Sequence, residues 1–265
     1  MPLHNKVGAV VALIAVGLLS SLVLVWPGRD VSWQGLAFVL SGKMLLGLVV
    51  IGLAGTGTDA IVRGHPKLQP EQLSRSFLHC ILPMALAVVT WSLLARSQSL
   101  ENRVIAVVAS SGLMALLIAA EYYTVDPAAR WRTELRLLLQ LAAYGLAALL
   151  YMTVRLSIPV THIAAIAVGI SSGTLGLRLL SENEYPLWRI GLCALGLGVL
   201  LGAISTWPAL QAASLVLYSL ELVVFLYVLT GLARQFLAGK LRREVALEYL
   251  LIGLLALLLL FVYVR

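Results

Sequence analysis

Apolar residues in this chain gather into nine long runs, separated by short polar stretches, instead of alternating with polar residues at a helical or strand period. The runs cover approximately 7–26, 36–61, 77–95, 104–121, 135–154, 158–180, 188–206, 209–232 and 246–264. A helix needs about 20 predominantly apolar residues to cross the hydrocarbon core of a bilayer, and each run is close to that length. Breakers mark the separators: Trp26-Pro27-Gly28, Gly64-His65-Pro66, Asp126-Pro127, Ser157-Ile158-Pro159, Glu184-Tyr185-Pro186 and Trp207-Pro208. Within lipid every backbone polar group must be bonded inside its own segment, so the runs are expected to be helices. The pattern predicts an all-α, polytopic transmembrane helix bundle of about nine spans, forming one integral membrane domain over 1–265.

Composition agrees with hydrocarbon as the solvent. Of the 265 residues 61% are apolar and 12% charged, whereas a soluble domain carries about 25% charged residues. The net charge of +7 does not indicate nucleic acid, because the basic residues sit in short loops between apolar runs, where they orient spans and meet anionic lipid head groups. Cys80 and Cys193 predict neither a disulfide nor a metal site, and His4, His65, His79 and His162 lack ligand spacing. The first run, Val7 to Val25, is long for a signal peptide and leads into Trp26-Pro27-Gly28 instead of a small-residue cleavage site. It is expected to be a retained helix.

Nine spans carry a corollary about loop charge. Lys6, Arg63, Lys67, Arg75, Arg130, Arg132, Arg136, Arg178, Arg189, Arg234, Lys240, Arg242 and Arg243 fall in one set of alternate loops, 13 residues in all. Arg29, Arg96, Arg103, Arg155 and Arg265 make 5 in the other, and Lys43 alone lies inside a span. The bias places the N-terminus in the cytoplasm and the C-terminus outside, in a bacterial inner (plasma) membrane. Tryptophans agree: Trp26, Trp33, Trp91 and Trp207 fall at outer ends, and Trp131 and Trp188 at inner ends, where aromatic belts form. An offset of 110 lays 130–155 over 240–265, matching Arg132 to Arg242, Glu134 to Glu244 and Arg155 to Arg265. This suggests a 1+4+4 plan of parallel repeats, 36–155 and 156–265, after a first helix at 7–26. Transporters are often built so, although any two basic-flanked leucine-rich helices resemble each other.

Glu221 is the leading candidate for chemistry. A charge inside a span is costly and requires a partner, a proton or water. Gln211, Ser214, Tyr218 and Glu221 follow steps of 3, 4 and 3, which would place them on one face of a continuous helix. Beyond Glu221 that face turns apolar through Phe225 and Val228. Such a track could line an outward-open vestibule ending at a cation or proton site, or could be a hydrogen-bonded cluster between helices. Lys43 either snorkels outward or pairs with Glu221. In the second span Lys43, Gly47, Gly55, Asp59 and Arg63 fall on an i+4 ladder with Ile51 between, a face on which glycines permit close approach of another helix. Gly55-Thr56-Gly57-Thr58 is expected to loosen the last turns. Asp59, Arg63 and His65 should gather at the cytoplasmic mouth near Glu121, Tyr122 and Asp126, as an inner gate, a head-group site or a solvated salt-bridge network. Ala194, Gly198 and Gly202 form a packing face in span seven.

Enzyme motifs do not emerge. Gly169-Ile170-Ser171-Ser172-Gly173 fits G-x-S-x-G, but a nucleophile elbow needs a strand–turn–helix context and this lies within a span. Neither H-E-x-x-H nor a Walker A sequence is present. No catalytic residue, cofactor or metal is expected, and enzymatic activity is disfavoured. In Glu121-Tyr122-Tyr123-Thr124-Val125-Asp126-Pro127, and in Gly239-Lys240-Leu241-Arg242-Arg243 through Leu247-Glu248-Tyr249, the chain resembles an uncharacterised family of multi-pass membrane proteins from Chloroflexi-type bacteria. That resemblance implies no known activity. The expectation is a membrane protein that binds or transports a small solute or lipid. The alternatives are an accessory or assembly subunit of a larger membrane complex and, more weakly, a lipid-modifying enzyme. Expected partners are the bilayer, anionic head groups at the cytoplasmic face and other membrane proteins.

Overall fold

The computed structural model describes the backbone of residues 3–23, 29–33, 36–40, 42–68, 70–126, 129–181 and 185–264, and side chains over most of these except 21–43. The predicted breakers Trp26-Pro27-Gly28, together with Pro127 and Glu184, lie outside the described residues, as does the side chain of Lys43. The elements are α1 (Leu3–Val23), β1 (Arg29–Trp33), β2 (Leu36–Leu40), α2 (Gly42–Arg63), a 3-10 segment (Pro70–Cys80), α3 (Ile81–Arg96), α4 (Leu100–Thr124) and α5 (Arg132–Ser157). There follow α6 (Thr161–Leu180), α7 (Leu187–Ser205), α8 (Pro208–Ala212), α9 (Leu215–Leu237) and α10 (Arg243–Val264). The chain is an all-α helix bundle carrying one short β-hairpin.

Eight helical segments among the described residues are long and apolar enough to cross a membrane. The 22-residue α10 is helical across the ninth predicted span. Their outward surfaces are apolar: Ile105 is 65% exposed, Val108 67%, Leu195 65% and Leu251 66%. Water would penalise so much contiguous apolar surface, and lipid does not.

The structure moves two boundaries. The second span was expected to start at 36, but 36–40 pairs antiparallel with 29–33, Arg29 opposite Leu40 and Trp33 opposite Leu36. The 22 residues of α2 already give roughly 33 Å at 1.5 Å per residue, so the span does not need them. Open strand edges have no place in hydrocarbon, which assigns the hairpin to the membrane surface. The eighth span, expected to be continuous over 209–232, is broken between α8 and α9. Ser214 is not an interior residue: it caps α9, its Oγ accepting from the Leu217 N–H at 3.3 Å.

Two compact units divide within α5, Met1–Leu139 and Gln140–Arg265. In the first, α2 packs against α1, α3 and the 3-10 segment, and α4 against α1 and α3. The expected ladder on α2 is its face toward α3. Gly47 admits the Trp91 indole and Gly55 the Met84 sulfur, while Asp59 meets Ser76. The Gly55–Thr58 stretch stays α-helical, with Thr56 and Thr58 satisfying their hydroxyls on the Gly52 and Ala54 carbonyls, at 2.8 and 2.6 Å. Trp91, expected at an outer end, covers Gly47.

In the second unit α6 and α7 form the closest pair. The Ala194–Gly198–Gly202 face of α7 meets Ala165, Gly169 and Gly173 of α6, backbone on backbone. Gly169 and Gly173 thus serve packing. Between them Ser171, the serine of the G-x-S-x-G match, lies within α6 and donates to the Ala167 carbonyl at 2.7 Å, while the buried Ser172 bonds the Tyr151 hydroxyl at 2.8 Å and donates to the Val168 carbonyl at 2.6 Å. The stretch is helix on both sides of the serine, not the strand–turn–helix of a nucleophile elbow. Helix α9 packs on α6, α7 and α10, the last through Tyr249 against Gly231 and Val228 against Gly253.

A methyl group at Gly198 would lie 2.6 Å from the Gly169 carbonyl oxygen, whereas one at Gly196 meets nothing within 4 Å. Gly198→Ala is therefore expected to destabilise the protein by about 1–3 kcal/mol through overpacking. Gly196→Ala should be neutral or stabilising by up to about 1 kcal/mol through higher helix propensity. Reversible unfolding in mixed micelles measures both.

Candidate functional site

Within the second unit the four residues expected to form one polar stripe do three different things. Gln211, in α8, donates its Nε2–H to the Ser205 carbonyl at 2.6 Å and so caps the end of α7. Ser214 caps α9. Tyr218 and Glu221 share a face of α9, three residues apart. Tyr218 is 1% exposed. Glu221 lies six residues from the start of α9, roughly 9 Å along the axis, about midway between the start of the helix and its centre. It is half-buried, and among the described residues it has no hydrogen-bond or ion-pair partner. The break between α8 and α9, which ends the stripe, is held by Arg155 from the last turn of α5. Its guanidinium donates to the carbonyls of Leu210 at 3.1 Å, Gln211 at 2.6 Å and Ala213 at 3.1 Å. It also lies 4.4 Å above the Tyr218 ring.

The first unit contains the second candidate region, the mouth. Asp59 pairs with Arg63 at 2.7 Å, and Ser76 Oγ donates to Asp59 at 2.6 Å and accepts from Arg63 Nε at 3.1 Å. His65 lies against Tyr122, ring centroids 4.4 Å apart, and its Nδ1 accepts from the Lys67 backbone N–H at 3.1 Å. Burial holds the His65 imidazole below its ordinary pKa, partly offset by the Asp126 carboxylate, which suits a neutral ring acting as acceptor. Lys67 pairs with Asp126 at 2.6 Å. Glu121 is fully buried, and its carboxylate meets His79 Nδ1 at 2.6 Å. Among the described residues no group of acidic, histidine or cysteine side chains is arranged to hold a metal ion.

A family model described as a protein of unknown function, DUF5656, matches residues 27–263. The chain belongs to the DUF5656 family. The match begins between α1 and β1 and runs through nearly all of α10, so both polar regions lie in DUF5656 sequence. No curated protein and no solved structure matches this DUF5656 chain.

Sequence reasoning named Glu221, Asp59, Arg63, His65 and Glu121 but missed Arg155, Ser76 and His79 as their neighbours. Arg155 counted only as a loop charge, although an arginine two residues inside the end of a helix carries a reach of several ångströms. Ser76 and His79 lie three apart, on one face of a 3-10 helix, a signal that a polar segment before an apolar run could have supplied.

Removing one member of a buried charged hydrogen bond leaves the other poorly solvated. His79→Ala is accordingly expected to destabilise the protein by about 1.5–3 kcal/mol. Lys67→Ala, which breaks an ion pair whose lysine is 57% exposed, should cost less than about 1 kcal/mol. Denaturation of the two variants side by side in detergent checks the order.

Proposed function

We propose that this is an integral membrane protein that binds a small solute or lipid within the bilayer, and moves it, with Glu221 as the binding group. One observation carries the reading: Asp59 and Glu121 are paired with protein groups, whereas Glu221 has no such partner among the described residues. A carboxyl group in a span requires a counter-charge, a proton or water, and one that its own helices do not satisfy is available to a cationic group or a proton. The neighbouring polar side chains are engaged in holding the backbone, so they define the site without competing for the ligand.

The proposal includes orientation and partners. Loop charge supports a cytoplasmic N-terminus and an external C-terminus in the bacterial inner membrane. The basic stretch at Arg234, Lys240, Arg242 and Arg243 would then face anionic head groups. A second reading, an accessory or assembly subunit, is favoured by a groove of about 650 Å³ along the α6–α7 pair, walled by exposed Ile166, Ile170 and Val199 over a floor of Gly169, Gly173 and Gly198. Small residues flanked by aliphatic ones suit the approach of another membrane helix.

Proton flux into proteoliposomes, followed with an entrapped pH dye, tests the binding role. Glu221→Gln is expected to lower flux at least tenfold, with Glu221→Asp retaining part of it. Flux unaffected by Glu221→Gln would remove the residue from the mechanism and favour the subunit reading. Orientation is tested by fusing alkaline phosphatase or green fluorescent protein to the C-terminus. An active phosphatase and a dark fluorescent protein are expected, and the reverse would invert the topology.

A further inference from the structure

The segment before α3 is wound differently from the helices it packs against. Pro70–Cys80 is a 3-10 helix of 11 residues, although the poorer hydrogen-bond geometry of that form seldom lets it run beyond three or four. Local sequence does not impose it. After Pro70 the segment contains neither glycine nor proline, and Glu71, Gln72, Leu73 and Arg75 are good α-helix formers. The winding therefore has a tertiary cause, and two polar contacts supply one. Ser76, 1% exposed, bridges Asp59 and Arg63 of α2 at 2.6 and 3.1 Å. His79 meets the fully buried Glu121 of α4 at 2.6 Å. Helices α2 and α4 touch one another, so both clasps are reached from one side of the segment.

Those clasps need the 3-10 register. At three residues per turn Ser76 and His79 eclipse. In an α-helix they would stand about 60° apart, several ångströms at the radius of a side chain, so keeping one contact would lose the other. Pro83, the third residue of α3, has no N–H to return to the His79 carbonyl, and its ring crowds that carbonyl in a continuous α-helix. The junction is thereby a hinge, at which the segment can rewind without unwinding α3. We propose that Pro70–Cys80 is a two-state element, 3-10 while Ser76 and His79 are held and α-helical once they are released, and that it opens and closes the mouth. Rewinding its 11 residues from about 2.0 to about 1.5 Å per residue shortens it by roughly 5.5 Å. The connection leading into it holds His65 against Tyr122 and Lys67 on Asp126, so shortening draws both away from the end of α4. Any group that competes for Asp59 or Glu121 shifts the element toward its α form. The device lies within the first unit and does not rest on Glu221.

The test uses the full-length protein in lipid nanodiscs, with ketone-bearing residues coupled to nitroxides in place of the exposed Leu73 and Leu93. Double electron–electron resonance reads their separation, roughly 34 Å along the axis with 73–80 in the 3-10 form and roughly 3.5 Å less with it in the α form. A second pair, replacing the exposed Leu100 and Leu116 of α4, should stay near roughly 24 Å and reports intact packing. Wild type is expected to show the longer separation. The double variant Ser76→Ala, His79→Ala should show the shorter one with the α4 pair unchanged. His79→Asn, whose amide nitrogen stands close to the place of Nδ1, should keep the wild-type separation. If the double variant fails to fold, Ser76→Ala alone carries the test, because Asp59 and Arg63 remain paired with each other. It is expected to add a second, shorter population to the first. An unchanged separation in the folded double variant, or in Ser76→Ala where the double does not fold, overturns the proposal. So does a distribution that broadens without a shorter maximum, or shortening in His79→Asn equal to that of the double variant.

Discussion

A polar group placed in hydrocarbon finds a partner within the protein or costs several kcal/mol, and the architecture is organised by that requirement. Hydroxyls inside the helices return their protons to the preceding turn, as in Thr90 to Leu86, Ser171 to Ala167, Ser219 to Leu215 and Thr230 to Leu226. Where the helical ladder stops, at the corner between α8 and α9, the carbonyls of Leu210, Gln211 and Ala213 are taken by Arg155. Gln211 does the same for the Ser205 carbonyl at the end of α7. A side chain reaching in from α5 replaces what a continuous helix would have supplied. Against that background the carboxyl of Glu221, without a partner among the described residues, is conspicuous.

Lipid is as apolar as leucine, so burial of aliphatic side chains does little to press these helices together. Close backbone approach does more. At Gly169, Gly173, Gly198 and Gly202 the missing side chains bring α6 and α7 within van der Waals contact of each other's carbonyls. In the first unit Gly47 and Gly55 receive Trp91 and Met84 as knobs into holes. Aliphatic residues then fill the gaps, as Leu180, Ile190 and Leu197 do in the second unit. Such packing has low tolerance for added volume, which makes the glycine positions, not the leucines, the sensitive points of the fold.

Polar pairing supplies the other cohesion. His79 closes on Glu121, Ser76 bridges Asp59 and Arg63, and Tyr144 meets Thr230 at 3.0 Å. The first and last join elements distant in sequence, and Ser76 ties α2 to the 3-10 segment that follows it. The candidate residues Asp59, Arg63, His65 and Glu121 were visible as unusual groups near helix ends, because a charge near hydrocarbon stands out against any apolar run. Their grouping near the ends of the second and fourth spans was expected, but their individual partners were not visible: the Glu121 carboxylate bonds a histidine 42 positions away. The stripe through Gln211, Ser214, Tyr218 and Glu221 assumed an unbroken helix, since period arguments carry no information about where a ladder is interrupted from outside.

By itself the sequence determined the class of structure: apolar runs of membrane length, a helix for each, and small-residue faces where helices meet, as at Ala194, Gly198 and Gly202. Those are local consequences of backbone hydrogen bonding and side-chain size, both readable one segment at a time. Only the tertiary structure decided that 36–40 would pair as a strand, that α8 and α9 would separate, and that Arg155 would hold the separation. The first outcome depends on the strand just before it and the other two on a side chain 55 positions away, and whether a polar group is satisfied is a property of the fold around it, not of its own segment.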